Sequence, residues 1–130
     1  MESRDVEWET LRKKERELKY LEEQYYQEKK KLETKALDIE ERNRNLEILL
    51  EQEVDKMNLT LRSFVASAND IRDYFIDMED FRQESFSVYK SNILKIEEEK
   101  EKLDKDFRKK QNQLEEEYNS LRRKYASTNG

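Results

Sequence analysis

The sequence has no cysteine, histidine or proline, and its one glycine is the terminal Gly130. Without cysteine or histidine the chain cannot form disulfides, thiolate nucleophiles or the common zinc sites, and it lacks the most frequent general base. Sheet folds depend on turns, and turns rely heavily on glycine and proline. We therefore expect an all-α protein without catalytic residues, cofactors or metals.

Long hydrophobic runs are also missing. No apolar stretch approaches the roughly 20 residues that span a bilayer. The first residues, Met1-Glu-Ser-Arg-Asp, lack the apolar region of a secretory signal peptide. The sequence predicts a cytoplasmic protein without membrane insertion, and it leaves open export without a cleaved signal.

Charge of either sign is abundant but evenly mixed. The chain has 27 basic and 32 acidic residues, a net charge of -5, and both signs alternate at about one-turn spacing. The densest basic spots, at 29–31 and 122–124, both have acidic neighbours. Carboxylate pairs such as Glu97 and Glu101 lie among lysines and favour surface ion pairs over a metal site. Nucleic acid is not an expected partner.

The first half of the chain carries a seven-residue repeat of apolar or aromatic side chains. Its members are Leu11, Leu18, Tyr25, Leu32, Ile39 and Leu46. Such a repeat keeps one stripe of a helix facing a partner helix. The second position of the seam, three residues later, is poorer, because it includes Lys14, Glu28, Lys35 and Arg42 beside Leu21 and Leu49. The stripe is too narrow for a strong homodimeric coiled coil.

The second half repeats apolar side chains at three- and four-residue steps. The positions are Phe86, Tyr89, Ile93, Ile96, Leu103, Phe107, Leu114 and Leu121. The stripe changes phase between Met78 and Phe86, and eleven-residue steps from Phe75 to Phe86 and from Met78 to Tyr89 account for the change. The pattern therefore predicts a second long helix.

Ser67-Ala68-Asn69-Asp70 is a short, lightly charged interval between the two patterns. Asn69 tolerates the left-handed conformation that ends a helix, and Ser67, Asn69 and Asp70 can each accept backbone N–H groups at the start of another. We predict a helix at 5–66, a turn at 67–70 and a helix at 71–126 within a single domain, 1–130. The fold is then an elongated antiparallel two-helix hairpin resembling a coiled coil. The alternative is one continuous helix in a coiled-coil dimer.

Folding the chain at this turn places apolar residues opposite one another along its length. The predicted pairs are Leu11 with Tyr125, Leu18 with Tyr118, Leu32 with Leu103 and Phe107, Ile39 with Ile96, and Leu46 with Tyr89.

Aromatic and apolar residues near the turn exceed what one seam can bury. We predict a partner-binding surface made of Phe64, Ile71, Tyr74, Phe75, Met78, Phe81, Phe86 and Tyr89. Phe81 and Phe86 in particular point away from Phe75 and Met78. Local packing around the turn is one interpretation, and an exposed patch that meets a partner helix is the other.

The second half, from Ile71-Arg-Asp-Tyr-Phe-Ile-Asp-Met-Glu-Asp-Phe-Arg-Gln-Glu through Leu103 to Tyr125, resembles a family of small helical proteins. These proteins are encoded beside LXG-domain toxins of Gram-positive type VII secretion systems and are similar to WXG-type helical hairpins. The resemblance implies a bacterial cytoplasmic protein that binds the helical LXG region of a toxin and targets it for export.

Two features of that wider group are absent. There is no Trp-x-Gly turn, because the only tryptophan is Trp8. The C-terminal aromatic-x-x-x-acid export signal is not met, since Tyr118 is followed by Arg122 and Tyr125 by Asn129. The resemblance thus implies that a second small helical protein or the toxin supplies the rest of the signal, and co-export is left open.

A different class of function also fits the composition. The chain can be a structural coiled-coil segment of a scaffold or cytoskeletal protein that associates with itself. This hypothesis predicts a continuous rod.

Overall fold

A computed structural model describes the backbone of residues 2–63 and 67–129 and the side chains of residues 5–63 and 67–127. Two helices, α1 (Glu2–Ser63) and α2 (Ala68–Asn129), pack against each other in an antiparallel hairpin. Over the described backbone there is no strand. The predicted all-α hairpin is confirmed, and the alternative of one continuous helix is wrong because the two helices pack against each other.

The length of both helices follows from the absence of breakers. Neither helix contains proline or glycine, and most positions hold good helix formers such as Glu, Lys, Leu and Arg. Exposed pairs one turn apart, such as Asp38 with Arg42 at 3.2 Å, add weak support. Most of the stability of such helices comes from the packing of an apolar stripe against the partner.

Helix α2 begins with a capping pair. The Ser67 hydroxyl accepts the backbone N–H of Asp70 at 3.1 Å, and the Ser67 carbonyl accepts the N–H of Ile71 at 3.2 Å. This is an N-cap, with an acidic residue in the first turn where the helix dipole favours negative charge. The turn predicted at 67–70 is therefore misplaced, because Ala68, Asn69 and Asp70 already form the first turn of α2. The predicted helix end at 64–66 lies outside the described residues.

The hairpin comprises two compact units, and each helix contributes a segment to both. One unit contains Met1–Leu32 and Glu98–Gly130, and the other contains Glu33–Glu97. Leu11 is buried in the first, and Leu50 and Ile96 are buried in the second.

Within the first unit, α2 residues meet α1 earlier in the chain than predicted. Tyr118 bonds Glu15, three residues before its predicted partner Leu18. Tyr125 lies against Trp8, three residues before Leu11. Phe107 stacks on Tyr25, seven residues before Leu32. Because seam positions recur every three or four residues, a shift of one or two turns still places apolar residues opposite one another.

The seam of α1 in the second unit also differs from the prediction. Leu50 is only 8% exposed, whereas Leu49 is 57% exposed. The inward side chains that follow Leu32, Ile39 and Leu46 are four residues later, at Ala36, Asn43 and Leu50. A period of 3.6 residues allows a step of either three or four. The four-residue step keeps the charged Lys35 and Arg42 exposed to water. This explains why Ala36 and Asn43 occupy the seam instead.

The expected change of phase in α2 does not occur. Met78, Ser85 and Tyr89 are all half-buried, whereas Phe86 is exposed. The inward face thus advances by one heptad from Met78 to Ser85, and the predicted eleven-residue step from Phe75 to Phe86 is wrong. The small Ser85 side chain fits in the seam, and keeping the phase leaves Tyr89 and Ile96 facing α1.

A search of the described residues for a membrane-crossing helix found none with the necessary length and apolar character.

The neighbouring residues Leu49 and Leu50 test this seam. Leu50→Ala removes a buried side chain and leaves a cavity, so we expect a loss of about 2–5 kcal/mol in the free energy of unfolding. Leu49→Ala removes an exposed side chain and should change stability by about 0.5 kcal/mol or less. Urea unfolding followed by circular dichroism measures both. Equal losses would contradict the four-residue step, and a larger loss for Leu49→Ala would favour the three-residue step instead.

Candidate partner-binding surface

The structure distributes the predicted partner-binding residues over more than one face of α2. Phe64 lies outside the described residues. Five of the others are half-buried, namely Ile71, Tyr74, Phe75, Met78 and Tyr89. Phe81 and Phe86 are exposed, at 49% and 42%. The half-buried residues face α1 or border it, and only the two phenylalanines are largely available to another molecule.

One side of the second unit carries a shallow groove. Its lining residues are Leu50 and Val54 from α1 and Phe75, Met78, Glu79 and Arg82 from α2, and its volume is about 140 Å³. Apolar seam residues form its floor, while Glu79 and Arg82 contribute charge. We call this the seam groove.

Phe81 and Phe86 do not share a surface. They are five residues apart, which places them about 140° apart around an α-helix. Phe86 stacks on Tyr89 with ring centroids 6.1 Å apart, and the Nζ atom of Lys90 lies 4.7 Å from the centroid of the Phe86 ring. The ammonium group is attracted to the face of the ring. Neighbours on its own helix therefore partly cover Phe86.

Phe81 lies on the opposite side of the hairpin from the seam groove. Glu79 lines that groove, and Phe81, two residues later, is about 160° away from it around α2. On α1, Val54 lines the groove, and Leu49 is about 140° away from Val54. Leu49 and Phe81 therefore lie on the same side of the second unit.

Val88 extends this surface. It is 56% exposed and follows Phe81 by one heptad, so the two side chains lie along one line of α2. We call the surface formed by Leu49, Phe81 and Val88 the apolar flank. The half-buried Tyr74, one heptad before Phe81, borders it.

Two members of the apolar flank were missed in the sequence. Leu49 was assigned to the seam, because steps of three and four residues are equally compatible with the pattern. The seven-residue spacing from Tyr74 through Phe81 to Val88 was the available signal for Val88.

The first unit contains a polar clasp between its two helix segments. The Tyr25 hydroxyl donates a hydrogen bond to the Asp104 carboxylate, and the Tyr25 ring stacks on Phe107 with centroids 4.1 Å apart. The Nζ atom of Lys29 lies 5.6 Å from the centroid of the Tyr25 ring. The hydrogen bond to Asp104 is the main reason why the pKa of Tyr25 is raised, and burial adds to the effect.

A second clasp joins Lys14 to two carboxylates. Its Nζ atom lies 2.5 Å from Glu117 and 3.3 Å from Glu17. The hydrogen bond to Glu117 raises the pKa of Lys14, and the same bond lowers the pKa of Glu117. In both clasps a side chain of α1 forms a hydrogen bond with a carboxylate of α2. These bonds favour a structural role, in which the clasps fix the register of α1 relative to α2.

Among the described side chains, no three acidic, histidine or cysteine residues are grouped so that they could hold a metal ion.

Comparison with protein-family models found no match, and comparisons with curated proteins and with solved structures found none either.

The Tyr25 clasp predicts a pH dependence. The phenol donates to Asp104 only while protonated, so its raised folded-state pKa contributes stability that is present below the unfolded pKa, about 10. That stability is lost as the pH rises through the folded-state pKa. Asp104→Asn removes the carboxylate and should lower the pKa of Tyr25, which the ultraviolet absorbance of tyrosinate measures. Glu101→Gln, at an exposed carboxylate one turn away, is the control. Identical titration curves for Asp104→Asn and the parent chain would refute the clasp.

Proposed function

We propose that this chain is a non-enzymatic adaptor that binds the helical LXG domain of a toxin and targets it to a type VII secretion system. One structural observation supports the proposal most directly: Leu49 from α1 and Phe81 and Val88 from α2 are exposed on the same side of the second unit. The resemblance of the second half of the chain to LXG-associated proteins supports the identity of the partner.

The apolar flank suits a helical partner. A partner helix that lies against the apolar flank, parallel to the hairpin, can contact α1 and α2 at the same time. Both helices contribute apolar side chains to that contact. Phe81 and Val88 are about 10 Å apart along the axis at 1.5 Å per residue, a spacing that apolar residues one heptad apart on the partner can match. An aromatic residue at the centre of such a contact is a typical hot spot.

In this proposal the chain contributes binding alone. The toxin domain is bound in the bacterial cytoplasm, and contact with the apolar flank covers hydrophobic surface on both molecules. In this proposal the toxin or a second small helical protein completes the export signal. Co-export of the chain with the toxin is compatible with this role.

Co-expression with the helical LXG domain of a type VII toxin tests the proposal. Phe81→Asp places a charge at the centre of the apolar flank and should reduce the affinity at least tenfold, which is about 1.4 kcal/mol. Phe86→Asp is the matched control, because it introduces the same charge on the opposite side of α2. The affinity of Phe86→Asp for the LXG domain should stay within about twofold of the parent chain, because residues outside an interface contribute little to binding. Calorimetric titration of the purified proteins gives the affinities, and circular dichroism verifies that both variants remain helical.

Failure of the parent chain to bind the LXG domain would refute the proposed function. Full binding by Phe81→Asp together with loss in Phe86→Asp would place the interface on the side of the seam groove instead. A second variant, Val88→Asp, should behave like Phe81→Asp if the apolar flank is the interface.

A further inference from the structure

The face of α1 that points away from the seam carries a line of apolar side chains in the second unit. Leu37, Ile48 and Leu59 are each more than half exposed. They are eleven residues apart, and eleven residues make close to three turns of an α-helix, so the three side chains align. Ile48 is about 160° around the helix from the buried Leu50. The hairpin therefore leaves this line uncovered.

Two opposite charges lie on the same face between the first two apolar residues. Glu41 follows Leu37 by four residues, and Arg44 precedes Ile48 by four residues. Both are exposed. The order along the helix is apolar, acidic, basic, apolar, with equal spacing on either side of a midpoint between 42 and 43.

This order is complementary to itself when the direction is reversed. Two copies of α1 lying antiparallel about that midpoint bring Leu37 opposite Ile48 of the partner subunit. The same rotation brings Glu41 opposite Arg44 of the partner subunit. A two-fold axis repeats each contact, so the apolar pair and the ion pair each form twice.

We propose that this face of α1 binds a second copy of the chain in this antiparallel arrangement. A parallel arrangement in register would place Glu41 against Glu41 and Arg44 against Arg44, and like charges repel. An unrelated partner would need no such symmetry in its target. The charge pattern therefore selects both the occupant and its direction.

We call this surface, formed by Leu37, Glu41, Arg44 and Ile48, the self-association face, and it is separate from the apolar flank. It lies on α1 alone, and Ile48 points about 100° away from the neighbouring Leu49 around the helix. The dimer does not rest on the proposed function, and loss of either interaction should leave the other intact.

Charge reversal tests the pairing between Glu41 and Arg44. We expect Glu41→Arg alone and Arg44→Glu alone each to raise the dimer dissociation constant at least tenfold, because each creates two like-charge contacts. The double variant restores opposite charges and should return to within about threefold of the parent chain. Sedimentation equilibrium of the full chain measures all four dissociation constants. A double variant as weak as the single variants would overturn the proposal.

Cysteine cross-linking tests the direction, and the absence of native cysteine makes the result unambiguous. A mixture of Leu37→Cys and Ile48→Cys chains should form a disulfide-linked heterodimer under mild oxidation. Neither variant alone should cross-link, because identical positions lie about 16 Å apart along the axis at 1.5 Å per residue. Cross-linking of Leu37→Cys with itself, or a parent chain that stays monomeric at every concentration, contradicts the antiparallel dimer.

Discussion

The N-cap at Ser67 is the constraint on which the hairpin register depends. The apolar seam alone permits several registers, because its positions recur every three or four residues. The hydrogen bond from the Asp70 N–H to the Ser67 hydroxyl determines where α2 begins. A start at Ala68 instead of residue 71 brings each α2 residue opposite an earlier part of α1. The contact of Tyr118 with Glu15 has this displaced register.

A two-helix hairpin has one seam, and this chain has more apolar residues than one seam can cover. Among the described residues, only Leu11, Leu50 and Ile96 are buried hydrophobic residues. Polar clasps, such as the ion pair between Lys14 and Glu117, form only when particular residues of α1 and α2 lie opposite each other. They therefore favour one register, which a thin apolar stripe cannot do. The surplus of apolar side chains lies on the outer faces. It is the physical basis of the two proposals, a toxin-binding flank and a self-association face.

The helical hairpin was predictable because composition excludes most alternatives and the heptad repeat persists over long segments. The exposure of Phe81 was predictable as well, since its position is out of phase with Phe75 and Met78. The choice between Leu49 and Leu50 was not, because 3.6 residues per turn lies between the two possible steps. The register was not predictable either: Ser67, Asn69 and Asp70 are all acceptable caps, and only the local geometry selects one. The separation of Phe81 from Phe86 was predictable, because a spacing of five residues places two side chains about 140° apart around an α-helix.

The contact between Tyr25 and Phe107 tests the register most directly. Their ring centroids are 4.1 Å apart, so nuclear Overhauser effects between protons of the two rings should be strong in a selectively labelled sample. The register predicted from the seam alone would instead place Phe107 beside Leu32. Strong effects between the Phe107 ring and the Leu32 methyl groups, with none to Tyr25, would contradict the account.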